Sequence, residues 1–447
     1  MDKITNLFTE KLAETRKFLP GSNLGWLNLS RDAGIQDFSR SGMPTQRWES
    51  WKYTRLPDIS KDSFRCIEKQ DGEKEVVSVP SLFKLADLEA KLVFVNGFLR
   101  SDLSKLEKLS DGVRIGTVVD MLQSDPSFVQ KHLPKTSKEK VSPLVSLNAA
   151  FWETGIVLHV RPGLKLKKPI EIVHLSGMTN KPLMRHSRNI MIIESGSEAT
   201  IIEHHGGLSA GKYLTNAVTD IELSNSATMR HYTIQAESRD SVHLATSNVN
   251  VGKDGKYHSF GLSMGAALSR CETNLRLIGQ GAGCGVSGVY MMRGREHCDN
   301  TTVIEHIAAN TTSREVFKGV LDDEARGVFQ GRIIVHKNAQ KTDGYQLSKA
   351  LLISDGAEMN AKPELEIYAD DVKCSHGATT GQLDQVALFY LRSRGIPEAL
   401  ARNLLIQSFL AEALDEVGDL EVRDAMLNHV IHWLPAHCYL ADEWKDS

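Results

Sequence analysis

Cysteine is scarce in this chain. Six occur in 447 residues (Cys66, Cys271, Cys284, Cys298, Cys374 and Cys438), and no two are spaced as CxxC. That excludes a disulfide-stapled scaffold and argues against a self-contained zinc ribbon or four-thiolate iron–sulfur site. No sign of charge dominates either: 53 Lys and Arg face 56 Asp and Glu. The electrostatic case for a dedicated nucleic-acid or membrane-surface binder is therefore missing, and neither partner is expected. No apolar run reaches the ~18 residues that span a bilayer. The first ten residues contain no long apolar segment, so a secretory signal is not expected and the expected location is cytoplasmic. A GxxxxGK[ST] loop and an HExxH motif are both absent, so the chain is not expected to hydrolyse ATP itself or to be a metalloprotease of that type.

What is present is the composition of a globular protein, 41% hydrophobic and 24% charged, of a length suggesting about three structural parts. The first ~20 residues read as a helix carrying Leu7, Phe8, Leu12, Phe18 and Leu19, ended by Pro20. Trp48, Trp51 and Tyr53 lie close together and read as packing anchors, on which Arg47 or Lys52 could stack. Leu92-Val93-Phe94-Val95 reads as a buried strand followed by an Asn96-Gly97 turn. Residues 125–145, rich in Pro, Ser and Lys, read as a surface linker.

After Leu147 long helical patterns vanish for over 200 residues, and short β segments separated by Gly, Asn, Asp and Ser replace them. The outline recurs. Ala199-Thr200 and Ala227-Thr228 lie 28 residues apart, and similar units follow at Val249–Tyr257 and Leu275–Val286. A strand-and-turn repeat near 28 residues excludes a helical solenoid and is too short for a propeller blade, but it fits a parallel β-helix. Residues 155–375 would supply roughly eight coils, a rod of about 40 Å at ~4.8 Å per strand, whose open ends need covering. The C-terminal part reads as helices. Thr379-x-x-Gln382 is a capping-box pattern for the first, which carries Leu383, Val386, Ala387 and Tyr390; Pro397 opens the second; the third covers about 421–434. The expected architecture is thus mostly β, with a helical or mixed N-terminal part and linker at 1–150, a β-helix core at 151–378 and a C-terminal helical part at 379–447.

Several clusters could carry chemistry. Gly281-Ala282-Gly283-Cys284-Gly285 superficially resembles a dinucleotide loop, but a strand pattern follows it instead of a helix, so tight turns explain the glycines better. Glu203-His204-His205 and His297-Cys298 are candidate metal ligands, yet strand neighbours point to opposite faces. His429, His432, His437 and Cys438 could cluster at the last helix. The strongest local signal is Asp370-Asp371-Val372-Lys373-Cys374-Ser375-His376-Gly377. Two apart in extended chain, Cys374 and His376 share one face, and a thiol beside an imidazole suits iron or zinc. Two ligands cannot close a tetrahedral site. An incidental structural role, a shared metal site, and a nucleophile with its base all stay open on pattern alone.

At this run the chain resembles a known family. Ala369 to Thr380, together with Leu388-Phe389-Tyr390-Leu391-Arg392-Ser393-Arg394-Gly395, closely resembles the SufD branch of the SufB/SufD family of iron–sulfur cluster assembly proteins. Phe329-Gln330-Gly331-Arg332, Ala339 to Asp343, Trp48 to Thr54 and Leu147 to Phe151 also fit, so nearly the whole chain is covered. The resemblance implies a right-handed parallel β-helix flanked by helical parts. It implies a scaffold, not a stand-alone enzyme, that pairs with SufB through its β-helix, with a homodimer when isolated. The SufC ATPase would dock on the C-terminal helices, here Leu383, Tyr390, Leu404 and Phe409. Cys374 and His376 would help hold a transient iron–sulfur cluster shared with SufB, with no cofactor tightly bound to the isolated chain. The alternatives are the SufB paralogue, a structural β-helix homodimer without a metal role, and a polysaccharide-active β-helix enzyme.

Overall fold

A computed structural model describes residues 3–57, 64–73, 87–133, 142–177, 179 and 181–434. From Ile156 to Gly381 the chain alternates between two sheets, each strand pairing in parallel with the strand two further on. Eight such strand pairs, from Ile156–Val160 with Ile170–Ser176 to Glu358–Ile367 with Val372–Gly381, make a parallel β-solenoid of about seven turns. No coil can bury its own inward residues, so each row is completed by its neighbours. Met191, Ile221, Val249, Leu275 and Ile304 stand in register in successive coils and are all buried.

One corner of the coil explains the Gly, Asn, Asp and Ser spacing. Gly163, Gly196, Ser226, Asp254, Gly281, Asn310 and Lys341 all adopt positive φ, between 55° and 76°. The first six donate their backbone N–H to the carbonyl one residue before the corner residue of the next coil, as in Ser226 to Lys253 (2.7 Å) and Asp254 to Gln280 (2.9 Å), while Lys341 donates to Asp371 at the entry to the last strand, where no residue takes positive φ. The interstrand ladder therefore continues around the bend. Gly281 has a second reason to lack a side chain, because a Cβ there would stand 2.2 Å from Asp254 Oδ1. The rest of its glycine run lies in the strand Gly283–Met292, not in turns. The coil length is also less regular than the sequence suggests. Thr228 pairs with Glu198, so the two Ala-Thr pairs are two residues out of register.

The two ends of the solenoid are treated differently. At the first coil, Ala90–Val95 extends one sheet and Val113–Thr117 the other. Asn96 and Gly97, both at positive φ, form the expected turn into Phe98–Leu99. The helices Lys3–Thr15, Gly25–Ser41 and Pro143–Phe151 cover one sheet from outside, packing Phe8, Phe38, Leu147 and Phe151 near Met184 and Leu214. The expected linker at 125–145 is partly helical. Asp125 caps Pro126–His132 by accepting from the Phe128 N–H (3.1 Å), Val129 is buried, and another helix starts at Pro143. Residues 134–141 lie outside the described residues.

At the other terminus the helices cover a side and not the end. Glu398–Leu414 and Leu420–Trp433 bury Ile406, Leu410, Leu414, Met426 and Val430 against Tyr232, Phe260 and Val316 of the second sheet. The capping box expected at Thr379 does not form, because Thr379 and Thr380 continue the strand Val372–Gly381. Asp384 caps the helix Gln385–Ser393 instead, accepting from Val386 and Ala387.

The tryptophan-rich segment straps the first sheet. Trp51 is buried beneath the guanidinium of Arg270, 4.0 Å from its ring centre, so the cation on this tryptophan comes from the solenoid, while Lys52 stacks on Tyr53 at 5.5 Å as local spacing suggests. Arg270 also bonds Asp299, Glu272 (2.6 Å) and the Ser50 carbonyl (2.9 Å). Thr54 donates to Asp299, Gln330 donates to Ser50, and Lys362 pairs with Glu49. Four successive coils are thereby tied by six residues.

The corner ladder yields a stability prediction. A β-branched side chain strongly resists positive φ, so Ser226→Val should cost ~1–2 kcal/mol, read as a lower urea midpoint. Lys341→Gly should be neutral or stabilising by up to ~1 kcal/mol. An unchanged midpoint for Ser226→Val would remove the corner from the account of the fold.

Candidate functional site at the last coil

The last coil, Glu358–Ile367 and Val372–Gly381, pairs on one side only among the described residues. Register fixes where its side chains stand. Cys374 lies over Gly344 and His376 over Gln346. Gln346 is fully buried and donates to Glu315 (2.7 Å), in the inward row of the coil below. Cys374 and His376 therefore continue the inward rows at the open mouth. Gly344 makes room, since a Cβ there would stand 3.5 Å from Cys374 Sγ.

The two residues differ in surroundings. Cys374 is half-buried against the cluster of Ile333, Val335, Ala339 and Ala369, whereas His376 is exposed. Burial pushes the Cys374 thiol above its usual pKa, and nearby Asp343 adds to this. A raised thiol is a poor nucleophile at neutral pH, which weighs against the nucleophile–base reading. As a metal ligand it would release its proton on binding. Among the described residues, no third His, Cys, Asp or Glu joins the pair in a ligating group. Among the described residues the pair is two ligands short of a tetrahedral set.

The remaining sequence candidates scatter. Leu383 is buried within the packing of the C-terminal helices. Phe409 lies under Lys318, whose Nζ is 4.6 Å from its ring centre and bonds the Phe409 carbonyl. Tyr390 and Leu404 are exposed. Val386 and Phe389, on the same helix as Tyr390, are exposed to 77% and 73%, an apolar patch that helical periodicity alone reads as an inward face. His297 bonds Thr54 (3.0 Å) while Cys298 is buried on the opposite face, as alternation requires. His204 and His205 likewise diverge, and His205 joins a buried group that sequence spacing does not reveal. His432 bonds the Asn428 carbonyl one turn back; His437 and Cys438 lie outside the described residues.

Comparison with known proteins identifies the family. Residues 175–409 match the family described as SUF system FeS cluster assembly, SufBD core domain, and residues 2–172 match the SufBD protein N-terminal region. The chain is 31% identical to the iron-sulfur cluster assembly protein SufD of Escherichia coli (strain K12) over 403 residues, covering 90% of this chain and 92% of that protein. It is 30% identical to an iron-sulfur cluster assembly SufBD family protein of Synechocystis over 84% of each chain. SufD of Bacillus subtilis (strain 168) is 25% identical over 88% of this chain and 90% of its own length. The chain belongs to the SufBD family of iron–sulfur cluster assembly proteins. Within that family it is SufD-like. Among the described residues no helix is long and apolar enough to cross a membrane.

The half-buried thiol gives a direct test. Alkylation of Cys374, followed by peptide mass spectrometry, should accelerate only at a pH above that at which an unhindered cysteine ionises. A profile matching or falling below the free-cysteine value would contradict the burial assigned to it.

Proposed function

We propose that this chain is the SufD-type scaffold subunit of a cytoplasmic cluster assembly complex. It pairs with SufB through the bare edge of its last coil, and SufC docks on its C-terminal helices. Cys374 and His376 contribute ligands to a transient iron–sulfur cluster completed by SufB. The observation that carries this reading is the half-site itself: two ligands of suitable softness, on one inward face, at an end of the solenoid that no other described element covers. The cluster is cargo and leaves with its recipient. In this reading 1–150 braces the solenoid, 151–378 carries the cluster ligands and 379–447 receives the ATPase.

Edge chemistry supports the pairing. The terminal strand Glu358–Ile367 contains Pro363 and the charges Glu358, Lys362, Glu364 and Glu366, features that discourage strand addition. Val372–Gly381 is mostly small and uncharged, so it is the edge open to a second solenoid, either SufB or another copy of this chain. The docking surface we assign to SufC is the exposed set Val386, Phe389 and Tyr390 with Leu404. Leu383 and Phe409 would support that surface from beneath.

Two measurements test the assignment. Cys374→Ser combined with His376→Ala should leave co-purification with SufB and SufC intact but abolish acid-labile sulfide and iron after anaerobic reconstitution; a normal cluster content would overturn the site. Val386→Asp with Phe389→Asp alters only exposed positions. It should lower SufC capture at least about tenfold, the effect of losing ~1.4 kcal/mol, without changing thermal stability. Undiminished capture would move the docking site elsewhere.

A further inference from the structure

A second set of ligating groups lies inside the solenoid, six strand spacings from Val372–Gly381 and so about 29 Å away at ~4.8 Å per strand. His205 projects inward from Glu198–Gly207, His243 from Val242–Val251 on the opposite sheet, and Glu237 from the connection between sheets. One ligand atom from each lies within 4.8 Å of the others, and all three residues are at least 95% buried. The His174 ring stacks on His205 at 4.8 Å, with 14° between planes, and the His243 ring meets it edge-on at 4.9 Å.

A purely structural reading accounts for part of this group. Glu237 accepts from His243 Nδ1 (2.9 Å) and from Thr215 (3.1 Å), and it lies 3.7 Å from Arg185. That leaves His205 Nδ1 buried without a hydrogen-bond partner, a cost of ~1–3 kcal/mol with no structural return. The Cys271 side chain lines the same cavity as His205 and His243, one strand beyond the His243 strand. That cavity, of about 100 Å³ in the solenoid interior, extends to the polar side chains of Ser259, Asn300 and Thr302. It has room for an ion with water.

We propose that His205, Glu237 and His243 form an interior binding site for a divalent transition-metal ion, with Cys271 as a fourth donor. Two imidazoles and a carboxylate suit Fe²⁺, Co²⁺ or Zn²⁺, and a thiol beside them disfavours Mg²⁺ and Ca²⁺. A ligating thiol binds as thiolate, and with Glu237 and the nearby Glu203 it offsets the ion's charge beside Arg185. The site does not depend on the cluster-assembly reading, since it shares no residue with the mouth.

The test uses the full chain carrying Cys374→Ser and His376→Ala, so that the mouth cannot bind, titrated anaerobically with Co²⁺. One equivalent should bind and give ligand-field bands together with a thiolate-to-cobalt charge-transfer band. His205→Asn in the same background should weaken binding at least about tenfold while circular dichroism stays unchanged. In the unsubstituted protein Co²⁺ should also protect Cys271 from alkylation, read by peptide mapping, which keeps the test independent of whether His205→Asn folds. Absence of binding once the mouth residues are replaced, undiminished affinity in His205→Asn, or an unprotected Cys271 would each overturn the proposal.

Discussion

The structure depends on one backbone condition: at one corner of every coil but the last a residue takes positive φ and hands its N–H to the next coil. Most L-residues resist that conformation by ~1–2 kcal/mol, so the corner selects Gly, Asn, Asp and Ser, with Lys341 as a tolerated exception. In return the hydrogen-bond ladder is not broken at the bend, and each coil is locked to the next at a fixed phase. Register follows from that phase. From register follow the inward rows, the aliphatic column at Met191 and Ile221, the imidazole stack at His174 and His205, and the pair Cys374 and His376 at the end. A slip of one residue would exchange the inner and outer faces of a strand and dismantle every one of these groupings.

This also decides what could be read from the sequence. The β-solenoid was legible because the corner residues recur and the strands between them alternate. Cys374 and His376 were legible as a pair because a spacing of two puts them on one face whatever lies beneath. Register was not legible. Successive coils along the second sheet step by 30 residues from Glu198 to Thr228, 28 to Lys256 and 27 to Gly283, so the 28-residue match of Ala-Thr pairs misplaces the coil by two. His205, Glu237 and His243 meet only through that register and a connecting loop. Trp51 finds Arg270 across the fold for the same reason, whereas local spacing reached only the Lys52–Tyr53 pair. At Thr379 a local capping pattern lost to ladder bonds with Lys349 and its neighbours, which pair each residue of the strand instead of capping one turn. The outward turn of Val386 and Phe389 was hidden because an amphipathic stripe does not say whether its cover lies in the same chain.

The strap from Glu49 to Thr54 helps explain how a bare end can persist. An end coil held from one side only is the weakest part of a stack, because its strands gain half the pairing of an interior strand. Here Lys362 in the last coil is tied to Glu49, and the same short segment is fastened to Arg270, Asp299 and Gln330 in the three coils below. Arg270 is the pivot. Burial opposes its charge, but Asp299 and Glu272 outweigh that cost and hold it more firmly protonated than usual. Among the described residues the N-terminal part thereby reinforces the sheet edge without covering the mouth, while the C-terminal helices brace the other sheet from the side.

Depth within the solenoid sets the chemistry available to an inward side chain. His306, covered by later coils and bonded to Thr311 (2.8 Å) and Ser313 (2.9 Å), has its pKa pushed down to about 4 by burial. Glu315, two strands below His376 in the same row, is pushed up to about 7 by burial against the pull of its hydrogen bonds. Another coil on top of His376 would impose the same desolvation on it and on Cys374. Both would then serve only as satisfied or neutral core groups. Leaving the last coil bare keeps the imidazole in water and the thiol at the boundary, where desolvation can be imposed by an arriving partner. On the reading proposed above, that partner would also supply the further ligands, so ligation and dewetting would occur in one event, and separation would reverse both. A transient metal assembly requires that reversibility, and a closed four-ligand site within one chain would resist it.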